Sequence, residues 1–477
     1  MPALRLVQQY WNFVASVIKN RCCNAMAKAN IAARRRLTFI AIFAGYFFLT
    51  LARRGFTVTS TVLLSDSSLG LTKADVGVVV SIFTVSTGCG KFVGGVLTDA
   101  VSSRRIFVLG LLVAALSNAA IGYFVGYTGA AAFAISAAWG VNGLAQGFAW
   151  PAIAQLIIRR FPPVSRGAIW GWITMAGNAA KVAAPLIFSR VALQWGWRAV
   201  FQGSAALALA GAAASWTFIP ASAAAPAEGK AGGDGEGAAT VPAKEPDAAL
   251  DAKAPEVKVA FCADVARRPS LWALLLADLL IYLVLEALSS WLIPLTIARH
   301  AVSAKLGATL LSCYELGGVI GTLGAGYLSD ALGGVGRRNL TSLWGCAALV
   351  IALARLRSLP VAMIGTETRT LELGGALFIA GMGVYGPKTM AGIAVREMHP
   401  SAVGAVGAIL GLVGQLGASL AGYPLVVAVE FITSSGAVDE WDAVFGTLLV
   451  SALGGTALFA ALHFTASKKT KKKIYMQ

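Results

Sequence analysis

Several ionisable residues of this sequence stand inside stretches that are otherwise apolar. GYFFLTLARRGF carries Arg53 and Arg54, GCGKFVGG carries Lys91 and NAAKVAAP carries Lys181. LLLADLLIYLVLEALSSW carries Asp278 and Glu286, and YGPKTMAG carries Lys388. A charge held in hydrocarbon is costly, so each is a candidate for a ligand, ion or proton pathway. Arginine suits a phosphate group, because its planar fork donates two hydrogen bonds to two oxygens. Adjacent helical positions point about 100° apart, so only one of Arg53 and Arg54 is expected to face a shared cavity. The alternative is that both reach along the helix to a membrane interface. Asp278, Glu286 and Lys181 read either as members of ion pairs or as coupling sites that relay a proton.

Such residues need apolar elements around them, and the composition supplies these. Of 477 residues, 57% are hydrophobic and 13% are charged, against about 25% charged in soluble domains. The 53 glycines suit helices that pack closely in lipid. The six cysteines form no CxxC pair, and His300, His399 and His463 lie far apart. No metal, cofactor or nucleophile–base set is expected, and therefore no enzyme.

Runs of roughly 20 apolar residues, the length of a membrane span, recur twelve times between residues 37 and 465. The sequence thus predicts an all-α membrane protein. An even number of spans puts both termini on one side. Of the 39 Lys and Arg, five lie inside the runs, and 26 of the other 34 fall on that side, which predicts cytosolic termini. The same distribution explains the net charge of +17 without a nucleic-acid partner. Residues 221–269, rich in Ala, Pro, Gly and acid, read as a flexible cytosolic linker. They divide a six-helix bundle at 37–220 from a second at 270–465. Residues 1–36 form a cytosolic arm, either a short amphipathic surface helix or disordered chain. Residues 466–477 form a basic tail that suits anionic lipid.

The two halves carry matching motifs. GVLTDAVSSRR begins at Gly95 after the second run, and GYLSDALGGVGRR begins at Gly326 after the eighth. A motif repeated at equivalent places marks a duplicated unit. Its glycine is expected to let helices approach closely. Its aspartate, Asp99 or Asp330, is expected to pair with Arg104 and Arg105, or with Arg337 and Arg338. Breaking that contact would gate the inner face; the plainer reading is a loop that only sets orientation.

These loops resemble the signature of the major facilitator superfamily. Within it, LTKADVG, GKFVGGVLTD, NGLAQGFAWP, ELGGVIGTLGAGYLSD and YGP resemble the organophosphate:phosphate antiporters, and most of all the glucose-6-phosphate translocase and sugar-phosphate exchangers. The resemblance covers most of residues 37–465. It implies the twelve-helix fold in two pseudo-symmetric halves, exchange of a phosphorylated sugar for inorganic phosphate, and a site at the midplane between the halves. It also implies an internal membrane such as the endoplasmic reticulum, and a carrier able to work as a single chain.

By the family motif, Arg53 is the phosphate ligand and Lys91 matches a basic residue of the second helix. Lys91 either attracts the anion or only pairs with Asp99. Tyr46, Gln146, Trp150 and Tyr282 complete the candidate site, with Trp150 alternatively a packing aromatic. Pro151 is expected to kink its helix. Two features depart from the family. Leu49 and Thr50 stand where it has tyrosines, and Leu285 stands where it has a seventh-helix cation, followed by the acidic Glu286. Lys388 either replaces that cation or pairs with Glu286. Because of this departure, a monoanionic carboxylate or neutral solute, carried with a proton, is an alternative cargo. A ligand sensor that does not transport is a second alternative.

Overall fold

The computed structural model describes the backbone of residues 2–474, apart from 127–129, 162, 221–267, 334–335, 360–366, 399–402 and 435, and most side chains of 32–465. Nearly all of the expected linker lies outside the described residues. So do His399 and the side chains of Gly95, Asp99 and the basic tail.

The helices are α1 (Pro2–Ser65), α2 (Lys73–Ala100), α3 (Ser103–Phe124) and α4 (Ala131–Arg160). Pro163–Phe218 turns at Gly196, whose φ of 80° is left-handed, and so divides into α5 (163–195) and α6 (197–218). After the linker come α7 (Pro269–His300), α8 (Ala304–Leu332), α9 (Arg337–Ser358), α10 (Glu367–Met398), α11 (Val403–Leu420), α12 (Tyr423–Thr433) and α13 (Glu440–Ile474). The backbone of the arm from Pro2 is helical and runs on into the first span without a break, so it is not a separate short helix. The eleventh apolar run is not one helix: it breaks at Ala421–Gly422 between α11 and α12.

Among the described residues, nine segments are long and apolar enough to cross a membrane by length and composition, and Ile169–Phe218 holds two helices. With α4 and α10 the spans number twelve. These two occupy equivalent places in the halves. Each carries a proline, Pro151 or Pro387, and polar side chains that lower its apolarity.

Local chemistry explains the starts. In LTKADVG, the Thr72 hydroxyl accepts from Asp75 N at 3.2 Å, and the Asp75 carboxylate accepts from Thr72 N at 2.8 Å. This capping box satisfies two donors that the first turn of α2 leaves unpaired. Ser303 caps α8 by accepting from Leu306 N at 3.2 Å.

Glycines bring the helices together in equivalent pairs. A Cβ on Gly147 of α4 would stand 2.5 Å from the carbonyl carbon of Gly90 on α2, and one on Gly381 of α10 would stand 2.0 Å from the Tyr314 carbonyl on α8. The motif glycine behaves differently. A Cβ on Gly326 would meet nothing within 4 Å, so the expected close approach fails there and belongs instead to the glycines higher in α8. Gly381→Ala is therefore expected to cost about 1–3 kcal/mol of stability through forced helix separation. Gly375→Ala, with nothing within 4 Å of the added carbon, should be neutral or slightly stabilising. Melting temperatures of the two variants in detergent check the contrast.

The halves meet through α2 with α11 and α12, α5 with α8, and α1 with α7. The face carrying loops 66–72 and 301–303 is termed distal, and the face carrying 101–102 and 333–336 proximal. Inter-half bonds cluster toward the distal side. Ser81 Oγ donates to Ser419 O at 2.8 Å and accepts from Tyr423 N at 2.9 Å, at the break between α11 and α12. A Cβ on Gly422 would stand 2.3 Å from Ser81 Oγ, so only glycine permits this docking. Ser312 Oγ donates to Val182 O at 3.0 Å, and Lys73 pairs with Glu440. These bonds fasten the distal half of the interface.

Candidate functional site

Arg53 and Arg54 leave α1 in different directions, and their environments differ accordingly. Arg54 is buried and bonded to Glu315 of α8, with Nη2 to Oε1 at 2.6 Å. The other Glu315 oxygen accepts from Tyr385 Oη of α10 at 2.7 Å. Lys181 of α5 donates to the same Tyr385 oxygen at 3.5 Å, with its ammonium 4.8 Å from the ring centre. This network crosses from one half to the other. Arg53, by contrast, is only partly buried and forms no ion pair within 4.0 Å among the described residues. Glu286, Tyr46 and Tyr385 lie within its electrostatic reach. Arg54 is held by Glu315 across the halves rather than reaching along its helix.

Glu315 was not among the residues singled out from sequence. The signal was present: a lone carboxylate in the eighth apolar run, in a chain with arginines in the first.

The Leu285 side chain is buried among apolar neighbours, and its carbonyl accepts from Tyr314 Oη at 3.3 Å. No cation takes its place on α7. Glu286 is half-buried and accepts from Ser290 Oγ at 3.0 Å. The expected pairing of Glu286 with Lys388 is absent among the described residues. One α-helical turn separates Glu286 from Ser290, and that hydroxyl takes the carboxylate oxygen instead. Lys388 lies over the rings of Tyr282 and Tyr385, at 4.6 and 5.4 Å from their centres. Such positions favour a cation electrostatically. Asp278 is 1% exposed, and neither of its carboxylate oxygens has a hydrogen-bond partner. Lys388 and Lys91 are the cations within its electrostatic reach, but neither comes within ion-pair distance. Among the described residues, Asp278, Glu286 and Lys181 thus form no direct ion pair within 4.0 Å.

Lys91 faces the interface. With the Gln415 amide turned to satisfy both its ends, Oε1 accepts from Lys91 Nζ at 3.3 Å and the nitrogen donates to Thr84 O at 3.2 Å. A lysine of α2 is thereby linked to α11 across the halves.

On α4, Gln146 is buried and donates to Leu49 O at 2.9 Å and Asn142 Oδ1 at 3.3 Å. Its donor group is thus committed to joining α4 to α1. Trp150 packs between Tyr46, at 5.5 Å between ring centres, and Trp170, at 5.0 Å. Tyr46 lies against Gly177 of α5, where a Cβ would stand 2.8 Å from its ring. Together these aromatics wall the N-terminal half beside Arg53.

At the proximal face, Arg338 donates to Asp330 Oδ1 at 3.0 Å, Ser329 Oγ at 2.8 Å and Glu397 Oε1 at 3.2 Å. The motif ties the ends of α8, α9 and α10 together within one half. Arg338 carries this contact, and Arg337 makes none of these three bonds. In the other half, the expected pairing of Arg104 with Asp99 lies outside the described residues. Arg104 donates to Trp216 O at 2.6 Å, and its guanidinium lies 4.1 Å from the Trp216 ring centre, so it binds the end of α6. Arg105 is exposed.

The chain is similar along most of its length to several curated proteins. It is 30% identical over 455 residues to a probable hexose phosphate transport protein of Chlamydia muridarum, covering 91% of this chain and 92% of that one. It is 29% identical over 444 residues to the membrane sensor protein UhpC of Salmonella typhimurium, covering 91% and 93%. It is 23% identical over 450 residues to the hexose-6-phosphate:phosphate antiporter of Escherichia coli, covering 92% of each. These relatives are bacterial, and the expectation of the endoplasmic reticulum finds no support among them. Among solved structures, a bacterial homolog of the human lysosomal transporter Spinster superposes with a TM-score of 0.66 at 15% identity, covering 91% of this chain and 98% of that one, which shows the fold. Residues 42–422 match the Major Facilitator Superfamily, and with twelve spans in two halves that meet around buried charges, the chain belongs to that family.

Proposed function

We propose that this protein exchanges a phosphorylated sugar for inorganic phosphate across a membrane, by rocking one six-helix half against the other. The observation that carries the proposal is the division of labour between neighbouring arginines. Arg54 is committed to Glu315, while Arg53 keeps its donors uncommitted to any carboxylate and partly accessible. An unpaired guanidinium beside an aromatic wall is suited to a phosphoryl group. The relatives named as hexose phosphate carriers support the same cargo. In this reading both termini and the proximal face are cytosolic, and the described state is closed on the opposite side. Arg338 and Asp330 would hold the α8–α10 ends as one rigid unit while the halves move.

Counterflow tests the proposal. Proteoliposomes loaded with phosphate are offered labelled phosphate, glucose 6-phosphate or glucose. Uptake of glucose 6-phosphate driven by internal phosphate, without uptake of glucose, is the expected result. Failure to exchange any phosphate compound defeats it. The sensor relatives favour a second reading, in which the same cavity holds a ligand without carrying it. That reading predicts binding of glucose 6-phosphate with no counterflow.

A further inference from the structure

The cations between the halves fall into two tiers. At about 1.5 Å of rise per residue, Arg53, Glu286 and Glu315 lie about 16–21 Å along their helices from the distal ends. Lys91, Tyr282, Asp278 and Lys388 lie about 27–33 Å from the same ends. Tyr385, at about 27 Å, links the tiers, with its hydroxyl on Glu315 and its ring near Lys388.

We propose that Lys91 and Lys388 form a second oxyanion site, one step nearer the proximal face than Arg53. This deepens the reading of phosphate exchange and rests on it. The two lysines come from opposite halves and are each partly accessible. Neither has a carboxylate oxygen within 4.0 Å among the described residues. A lysine ammonium has three donors. Here one Lys91 donor meets Gln415, and Lys388 meets only ring faces. Lys91, Lys388 and Arg53 also lie within electrostatic reach of one another. Like charges held this close call for an anion among them. Asp278 is the carboxylate within electrostatic reach of both lysines, without a hydrogen bond to either oxygen. Glu286 and Glu315 also act on Lys388, but Glu315 is committed to Arg54, and neither forms an ion pair with Lys388 among the described residues. The excess of positive charge and the vacant donors fit a phosphate oxyanion. The oxyanion is either free inorganic phosphate or a second anionic group on the substrate bound at Arg53. Occupancy of both tiers would let the incoming anion bind before the outgoing one leaves.

Equilibrium dialysis of the detergent-solubilised full chain against labelled inorganic phosphate tests the site. Two phosphates per chain are expected. Lys388→Gln and Lys91→Gln should each retain one, and that retained phosphate shows that they fold. Lys388→Arg should keep two. A hexose 1,6-bisphosphate separates the sources. If a second group on the same molecule fills the site, the bisphosphate binds at least about tenfold tighter than the 6-phosphate, as charged hydrogen bonds warrant, and Lys388→Gln removes the difference. If free phosphate fills it, the 6-phosphate ester and phosphate bind together, one of each. One phosphate per chain, with mono- and bisphosphate bound equally and both indifferent to Lys388→Gln, overturns the second site alone. No phosphate bound at all overturns the exchange reading with it.

Discussion

Arg53→Ala is expected to reduce phosphate-driven exchange at least about 100-fold while leaving the protein folded. Hydrogen bonds to charged groups contribute about 1.5–3 kcal/mol each, and a guanidinium can offer a phosphate two of them. Removal of Arg53 orphans no carboxylate, because none lies within ion-pair distance of it among the described residues. The melting temperature in detergent should therefore stay close to that of the parent, and the loss should appear in the phosphate constant and in counterflow. Arg53→Lys should recover a minor part of the activity, since an ammonium keeps the charge but not the fork. Normal exchange by Arg53→Ala would remove the guanidinium from the site.

The Arg54–Glu315 pair is expected to answer differently. Glu315→Ala leaves a buried guanidinium without its carboxylate, a loss of about 3–5 kcal/mol. The single variant should melt well below the parent and transport poorly. Replacing both partners with apolar residues of similar size, Arg54→Met with Glu315→Leu, removes both charges and should restore most of the stability. It should not restore tight exchange. The pair joins α1 to α8, one from each half, so without it the empty carrier can rock more freely. Phosphate efflux into phosphate-free buffer, slow in the parent, is expected to rise in the double variant. Equal efflux from both would mean that the pair is only structural.

The sequence and the structure agree where single-chain patterning decides the matter. Apolar runs and the duplicated loops are local features, and most lie where periodicity and turn chemistry place them. The site was legible only in part. Charges in apolar runs pointed to Arg53, Lys91, Asp278 and Lys388 without indicating their partners. Partners depend on which helix faces come together, and a separation of 261 residues between Arg54 and Glu315 leaves no trace in local pattern. Of the two expectations for Lys388, replacement of the seventh-helix cation or pairing with Glu286, the pairing is absent among the described residues, and the ammonium lies over two aromatic rings. Gln146 matched a family segment, yet its amide serves the backbone of α1. Gly326 shows the reverse difficulty: the motif was correctly found, but in this arrangement of the halves no neighbour approaches it. The break at Ala421–Gly422 was missed because the apolar pattern runs straight through it.

That break also sets what the distal seal responds to. Ser81 there bonds the main chain on both sides of the interruption, with a neutral hydroxyl and peptide groups as its only participants. Trp291 adds an indole donor to the Ala421 carbonyl at 2.8 Å. None of these groups titrates near neutrality, and salt screens charges rather than peptide dipoles. The neighbouring Lys73–Glu440 contact is exposed and weakens as salt rises. The contacts at the break thus depend little on the chemistry of the solution on the distal side. The same contacts therefore persist across wide swings in acidity and ionic strength on the distal face.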